Sequence, residues 1–383
     1  MITKVTLNNF KCFATSTSIP MSQITVLYGK NGRGKSSVIQ SLLLLSQSLI
    51  RNGGSLGPLL ISDSVVSLGT FQDILNRNNR GFNTISFEVE TDVENDNERV
   101  LHLSFHGDRQ RPTIAVLDDL RVGEVSYRVS YKLADDQGAS EQSVESSFLP
   151  QSDIRTYNYL RSISYVSAER RGPRNFEDRR DNLTQRDVDV KGDNLINALF
   201  KEDDDFKDRF SEELSLILSG ASVRVLANEN TPDRIDLFLD STNDNSSGFR
   251  PTNVGFGYSY VLPIVFKTMI APKDSMVIIE NPEAHLYPGA QSRLLDFLVK
   301  YATRNNLQII LETHSDHIIN GMRLAVKESR ISAQSTSILY FDRSEDDSGT
   351  PSIESIHLNE KGALSKQPED FMDEWTKQLM ALL

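Results

Sequence analysis

The pattern of apolar and polar positions changes texture along the chain. Near the N-terminus, "KVTLNNF" and "QITVLYG" are short runs rich in β-branched and aromatic residues, and both read as strands. The second ends on a glycine. "KSSVIQSLLLLSQSLI" follows, where Val38, Ile39, Leu42, Leu43, Leu45, Leu49 and Ile50 form a broad helical face suited to packing on a sheet. "RNGG" ends that helix. Over residues 82–149 the chain alternates apolar with polar in "NTISFEVETDV", "RVLHLSFHG" and "VSYRVSYKLA", which predicts half-exposed antiparallel strands. Residues 194–221 are helical in pattern, interrupted by "KEDDDFKD", read as a solvated acidic turn. "RIDLFL" is a further strand, and "STNDNSSGFRPTN" a polar loop. The last third alternates strand and helix: "SMVIIE", "AQSRLLDFLVKYATRNN", "LQIILETHS", "DHIINGMRLAVKE", "SILYFDR". Such alternation predicts a parallel sheet with helices on its faces.

The expected class is therefore α/β, with a mixed and largely parallel sheet, an inserted antiparallel β segment and a helical segment. The expected divisions are residues 1–81 and 251–340 for two parts of one core, 82–150 for the β insertion, 151–250 for a helical connecting lobe, and 341–383 for a short tail. No internal repeat and no sustained heptad run is present.

Composition narrows the function classes. A chain of 383 residues allows one large domain or two ordinary ones, and 38% hydrophobic with 25% charged residues suits a globular protein. No apolar run approaches the roughly 20 residues that span a bilayer. The first residues read as a strand rather than a signal peptide. One cysteine, Cys12, excludes an internal disulfide and a cysteine-rich zinc site, and a reducing, cytoplasmic location is expected. The net charge of −12 disfavours general coating of nucleic acid. Local patches remain possible: "SAERRGPRNFEDRR", residues 167–180, concentrates arginines, as a solvated or salt-bridged loop or as a phosphate or partner contact.

"GKNGRGKS", residues 29–36, matches G-x-x-x-x-G-K-[ST] with a strand before and a helix after. Glycines let the backbone curl so that its N–H groups converge on phosphate oxygens, and a helix N-terminus adds its dipole. Lys35 is expected to reach the β- and γ-phosphates of ATP, and Ser36 to ligate Mg²⁺. Asn31, Gly32, Gly34 and Ser37 complete the expected nucleotide-binding set.

Three later segments bear on which kind of P-loop nucleoside triphosphatase the motif implies. Glu280 closes the apolar run of "MVIIENPEAHLYP". "VGFGYSYVLPIV" places Gly255, Gly257 and Ser259 at a helix start. "IILETHSDH" ends a strand on Glu312, Thr313 and His314. His314, Asp316 and His317 also suggest a metal site, but the spacing is short and no further anchor is evident.

Together these motifs resemble ABC-type ATPase heads, the group that includes SMC proteins and OLD-type ATPases. They are most similar to prokaryotic AAA-type, OLD-like ATPases with a short C-terminal domain of unknown function. Those proteins carry motifs like "YVSAERRGPR", "VGFGYSYVLPI", "ENPEAHLYP", "LETHSDHIINGMR" and a tail like "ILYFDR…GALSKQPEDFMDEW", here in the same order. The resemblance implies an ABC-type fold, ATPase activity with ATP and Mg²⁺, and ATP-dependent homodimers or higher oligomers. It implies Ser36 and Glu280 on the metal side, His314 as the switch histidine, and Gly257 and Ser259 as a signature motif meeting the γ-phosphate held by the other subunit. Gln72, in "SLGTFQDIL", stands at the place of a Q-loop glutamine, and Lys11, in "NNFKCF", at a place that touches the nucleotide. A single loop glutamine is more often simply solvated.

In most such sites a glutamate follows the strand-ending acid and polarises the attacking water. Here Asn281 follows, and an amide orients water but cannot accept its proton. Either Glu283 turns back to supply the carboxylate, or the site binds ATP well and hydrolyses it slowly. The preferred expectation combines Glu280, Glu283 and His314 as the catalytic set with low turnover.

Three functions compete. The resemblance implies a sensor or regulator in a bacterial anti-phage defence system, working with a separate nuclease or toxic effector. Too little chain follows His314 for an appended nuclease domain. An SMC-like DNA-repair head would bring a long coiled coil and a Cys-x-x-Cys hook, both absent. The third is a scaffold that binds ATP and sequesters a toxin without turnover. Nucleic acid is a possible but not a required partner, and no membrane is expected.

Overall fold

The computed structural model describes residues 1–54, 56–79, 81–93, 99–127, 155–228, 230–240, 248–343, 350–368 and 371–382. Part of the expected strand "VSYRVSYKLA", part of the loop "STNDNSSGFRPTN" and residues 369–370 of the tail lie outside them. The chain divides into two compact units. The first comprises Met1–Ser22, Tyr28–Ile163 and Leu339–Ser355; the second comprises Gln23–Leu27, Ser164–Ile338 and Ile356–Leu383.

The first unit carries a seven-stranded antiparallel sheet. Its strands are β1 (Ile2–Asn8), β2 (Thr17–Pro20), β4 (Leu59–Leu60), β5 (Thr84–Thr91), β6 (Val100–Gly107), β7 (Ile114–Val122) and β8 (Val125–Tyr127). The order is β2-β1-β5-β6-β7-β4, with β8 on β7. The alternation in the sequence sets the faces. Ile85, Phe87 and Val89 of β5 are buried, as are Leu101, Leu103 and Phe105 of β6, while Glu88, Glu90 and His102 between them are part-exposed. Phe87 lies opposite Leu103, and Val5 opposite Val89, so the segment after residue 82 extends the N-terminal strands. Helix α1 (Lys35–Arg51) buries Val38, Ile39, Leu42, Leu43 and Leu49, α2 (Phe71–Ile74) is a single turn with a Thr70–Asp73 capping box, and α3 (Arg155–Arg161) is short.

The second unit is built on parallel strands. Here β3 (Ile24–Gly29), β14 (Gln308–Glu312), β13 (Met276–Glu280) and β9 (Ser164–Val166) are neighbours in that order, with Thr25, Ile310, Ile278 and Tyr165 in register. β15 (Thr336–Arg343) lies beside β3, and β16 (Pro351–Ile356) beside β15. The apolar runs of β13 and β14 are buried on both faces, as parallel strands under helices require. Around them stand α6 (Phe256–Ile270), α7 (Pro288–Asn305) and α8 (Asp316–Lys327), with α9 (Glu374–Leu382) near the C-terminus.

A separate three-stranded antiparallel sheet, β10 (Phe176–Asp178), β12 (Thr231–Asp240) and β11 (Ser222–Asn228), accompanies α4 (Leu195–Lys201) and α5 (Asp204–Leu218). The acidic run does more here than the solvated turn expected of it. Asp203 is the N-cap of α5 and accepts the Phe206 N–H at 2.7 Å, while Asp204 and Asp205 face the positive end of the helix dipole. Among the described residues no helix is long and apolar enough to cross a membrane.

Candidate functional site

The expected site residues fall into two constellations, one in each unit. In the first, β3 ends at Gly29, whose φ of +131° favours glycine and whose added Cβ would lie 2.2 Å from the Phe341 carbonyl oxygen. The Lys30 N–H donates to that same carbonyl at 3.2 Å. Gly34 is the N-cap of α1 at φ +100°, and a Cβ there would lie 2.8 Å from Cys12 Sγ. Both ends of the loop are thus fixed by glycines that nothing larger can replace. Lys35 is buried, and its Nζ donates to the carbonyls of Gly29 and Lys30, both at 2.8 Å, closing the loop into a ring. The N–H groups of Asn31, Gly32 and Arg33 have no acceptor among the described residues. A Cβ at Gly32 would meet nothing within 4 Å among the described residues. Unfilled donors beside an ammonium at a helix start fit a polyphosphate. Ser36 and Ser37 stand in the first turn of α1, part-exposed.

The weakest expectations, Lys11 and Gln72, share a corner of this unit. The Lys11 N–H donates to the Ile74 carbonyl at 2.7 Å, so the turn at 10–13 rests on α2. Lys11 Nζ donates to Gln40 on α1, and burial lowers its pKa against the opposing pull of Cys12. Gln72 is exposed on α2.

In the second unit β13 delivers Glu280. Its Oε2 accepts the Ala168 N–H at 3.2 Å. Burial, then the neighbouring Glu280 charge, raises the Tyr165 phenol pKa. Asn281 turns the chain at φ +44° and donates its N–H to the Glu312 carbonyl at 2.8 Å. Glu283 comes back to the end of β14, where Thr313 Oγ1 donates to its Oε2 at 2.7 Å and the His314 N–H to its Oε1 at 2.9 Å. The His314 side chain is exposed. Ser315 caps α8, accepts from the His317 and Ile318 N–H groups, and donates to Gln291 Oε1 at 2.5 Å; Gln291 donates to the Leu286 carbonyl at 2.7 Å. The turn at 281–287 and the segment after β14 are therefore laced together.

The start of α6 packs on that turn. A Cβ on Gly257 would lie 2.6 Å from the His285 carbonyl oxygen, and the Tyr260 and His285 rings are 4.4 Å apart. Ser259 is buried, and its hydroxyl has no partner among the described residues. Phe256 is 54% exposed.

Sequence reasoning missed Arg170. It is 4% exposed, and its Nη1 and Nη2 donate to the carbonyls of Glu280 at 2.9 Å and Asn281 at 2.6 Å. Its carbon Cζ stands 5.4 Å from the centre of the Tyr260 ring. Burial pushes its pKa down to about 10, against Glu283, Tyr260 and Glu280. The rest of the arginine-rich stretch divides by partner: Arg171 and Arg174 pair with Asp193, and Arg179 with Asp181. Intramolecular pairing thus accounts for those three. Among the described residues no group of three or more His, Cys, Asp or Glu side chains is placed to hold a metal. A magnesium ion on ATP draws most of its ligands from phosphate and water, so it needs no protein cluster of that kind.

A family model described as an AAA domain, putative AbiEii toxin, Type IV TA system, matches residues 24–320. The chain belongs to that family. Residues 331–382 match a second model, a protein of unknown function (DUF3696). This AAA-domain protein is similar in fold to an SMC head bound to the C-winged helix domain of ScpA, with a TM-score of 0.52 and 13% identity over 94% of this chain and 98% of that one. An SMC head from Thermotoga maritima gives 0.48 and 12% identity over 92% and 98%. At 13% identity the likeness to the first shows the fold alone: a mixed α/β, ABC-like ATPase head with a parallel sheet and an antiparallel β insert. No curated protein matches the chain.

Proposed function

We propose that this family member binds ATP with Mg²⁺, hydrolyses it slowly, and acts as the sensor or regulator of a bacterial anti-phage defence system, controlling a separate effector through ATP-dependent dimerisation. The observation that carries the reading is the phosphate loop: the N–H groups of 31–33, which have no acceptor among the described residues, beside the buried ammonium of Lys35. The family's description, which names a toxin system, supports the defence role.

In this reading Lys35 and the loop amides bind and orient the phosphates, Ser36 serves the metal from α1, and Glu280 serves it from the end of β13. Bound Mg²⁺ supplies neutralisation of charge on the phosphoryl group in flight. Glu283 orients the attacking water with lone pairs its two hydrogen bonds leave over, and His314 meets the γ-phosphate. Slow turnover follows because Asn281 cannot act as a base and Glu283 is already committed to Thr313 and His314. Asn281 also keeps a second reading alive, a scaffold that holds ATP and sequesters a toxin without turnover.

Equilibrium ATP binding and steady-state phosphate release, on wild type and Lys35→Ala, test both. Loss of the ammonium should weaken ATP binding by at least about two orders of magnitude, since it makes charge-assisted bonds to phosphate. Undiminished binding in Lys35→Ala would remove the phosphate-loop reading. Tight binding by the wild type with no turnover above background would leave the scaffold.

A further inference from the structure

We propose that Arg170 is a positioning residue of this site: by holding the carbonyls of Glu280 and Asn281 and lying over the Tyr260 ring, it ties the turn that carries Glu280, Asn281 and Glu283 to the start of α6. This rests on the ATPase reading above.

Arg170 lies in the loop after β9, in the arginine-rich stretch, and is the deeply buried arginine of it. Its fork is spent on two consecutive backbone carbonyls, at 2.9 and 2.6 Å. Those carbonyls flank the point where the chain leaves β13 and enters the left-handed conformation of Asn281. A planar fork with fixed spacing sets the direction of both peptide planes, and so the direction in which the Glu280 and Glu283 side chains leave the backbone. The Ala168 N–H, two residues before Arg170, donates to the Glu280 carboxylate itself, so one short segment fixes both backbone and side chain of that acid. On its other side the guanidinium meets Tyr260, whose ring also lies 4.4 Å from His285 of the same turn. Tyr260 belongs to the first turns of α6, which Gly257 presses against the His285 carbonyl. A shift of the α6 start would therefore be felt at the turn through Arg170. A lysine can donate to two consecutive carbonyls, as Lys35 does, but from one nitrogen on a flexible stem, without the fixed planar spacing of the guanidinium.

The experiment uses the full chain as Arg170→Ala, Arg170→Lys, Tyr260→Leu and the Arg170→Ala/Tyr260→Leu double variant. ATP affinity is measured with and without Mg²⁺, turnover as kcat and KM, and amide exchange in the ligand-free protein. Arg170→Ala should bind Mg²⁺-free ATP within about threefold of wild type. Its gain in affinity on adding Mg²⁺ should shrink, and its kcat should fall roughly 10–100-fold, as for loss of a group that orients a metal-side ligand. Arg170→Lys should recover part of that. Tyr260→Leu should lower kcat alone and add little in the double variant, because the two act as one contact. The amides of Asn281, Ala284 and Leu286 should exchange faster in Arg170→Ala, and those of α1 should not. A folded Arg170→Ala with unchanged kcat, Mg²⁺ dependence and exchange overturns the proposal. So does loss of Mg²⁺-free binding together with kcat and thermal stability, with no recovery in Arg170→Lys, which is what a purely structural arginine would give. If wild type turns over no ATP, the ATPase reading fails separately. The Mg²⁺ dependence of binding and the exchange at the turn then decide the role of Arg170.

Discussion

Asn281 stands at φ +44°, a conformation that costs most side chains about 1–2 kcal/mol and that asparagine tolerates better than most. A glutamate held at that φ would carry the cost, so the backbone here suits asparagine better than the glutamate that the resemblance implies after a strand-ending acid. The proposed base duty falls on Glu283, which is anchored at both oxygens but keeps a second lone pair on each. Glu283→Gln should lower kcat on the order of 10²-fold, with ATP affinity changed by less than about threefold. Steady-state phosphate release beside equilibrium binding checks this, and unchanged turnover would leave Glu283 as a strut between the turn and β14. The resemblance pointed to Glu280 and His314, and Asn281 after the strand-ending acid turned attention to Glu283. Neither could point to Arg170, because its bonds to residues 280 and 281 cross 110 positions or more and nothing in a run of arginines marks the buried one. Thr313 stood in a quoted motif, but its bond to Glu283, and that of Ser315 to Gln291, join segments the sequence does not pair. One cue was available: Asn-Pro just past an apolar strand favours a turn, and asparagine tolerates the left-handed conformation found there.

Helix α6 joins an open N-terminus to an apolar body, and Lys267 is buried in that body. Its Nζ donates to the Tyr165 carbonyl at 2.9 Å, and burial pushes its pKa down to about 8, with Asp189 pulling weakly the other way. Because the folded value lies below the unfolded 10.5, the unfolded chain binds more protons between pH 8 and 10.5. The penalty for a buried charge is therefore fully present below pH 8 and is relieved as pH rises through that window. Lys267→Met should stabilise the protein at pH 7 by on the order of 1–3 kcal/mol, less what the Tyr165 carbonyl loses, and the gain should shrink by pH 10. Urea unfolding at both values measures it, and a gain that stays constant with pH would sink the attribution to charge. At this scale the parallel strands β3, β13 and β14 were readable because an apolar run of that length between helical patterns has few other interpretations. The three-residue strands β9 and β10 are too short to show a period. β11 did show one, with Val223 and Val225 alternating with polar positions, and pairing with β12 makes it a strand.

For the whole molecule, the proposed function requires two copies to meet around ATP. Gly255 caps α6 with nothing among the described residues within 4 Å of where its Cβ would stand, and Phe256 beside it exposes half its surface. A large aromatic side chain left in water at a helix start gains most if a second chain covers it. The hydrolysis-impaired Glu283→Gln variant should therefore sediment as a dimer with MgATP and as a monomer without it. Adding Phe256→Glu should return it to monomer while ATP affinity is kept, because the substituted side chain is solvated in one chain and forced out of water only where two chains meet. Multi-angle light scattering after size exclusion, over a tenfold range of protein concentration, reads both. If Glu283→Gln stays monomeric with saturating MgATP, the signature role of Gly257 and Ser259 toward a second subunit falls, and regulation of an effector must run through the single chain. If it dimerises and Phe256→Glu leaves the dimer intact, ATP-dependent assembly stands but uses a face other than the start of α6.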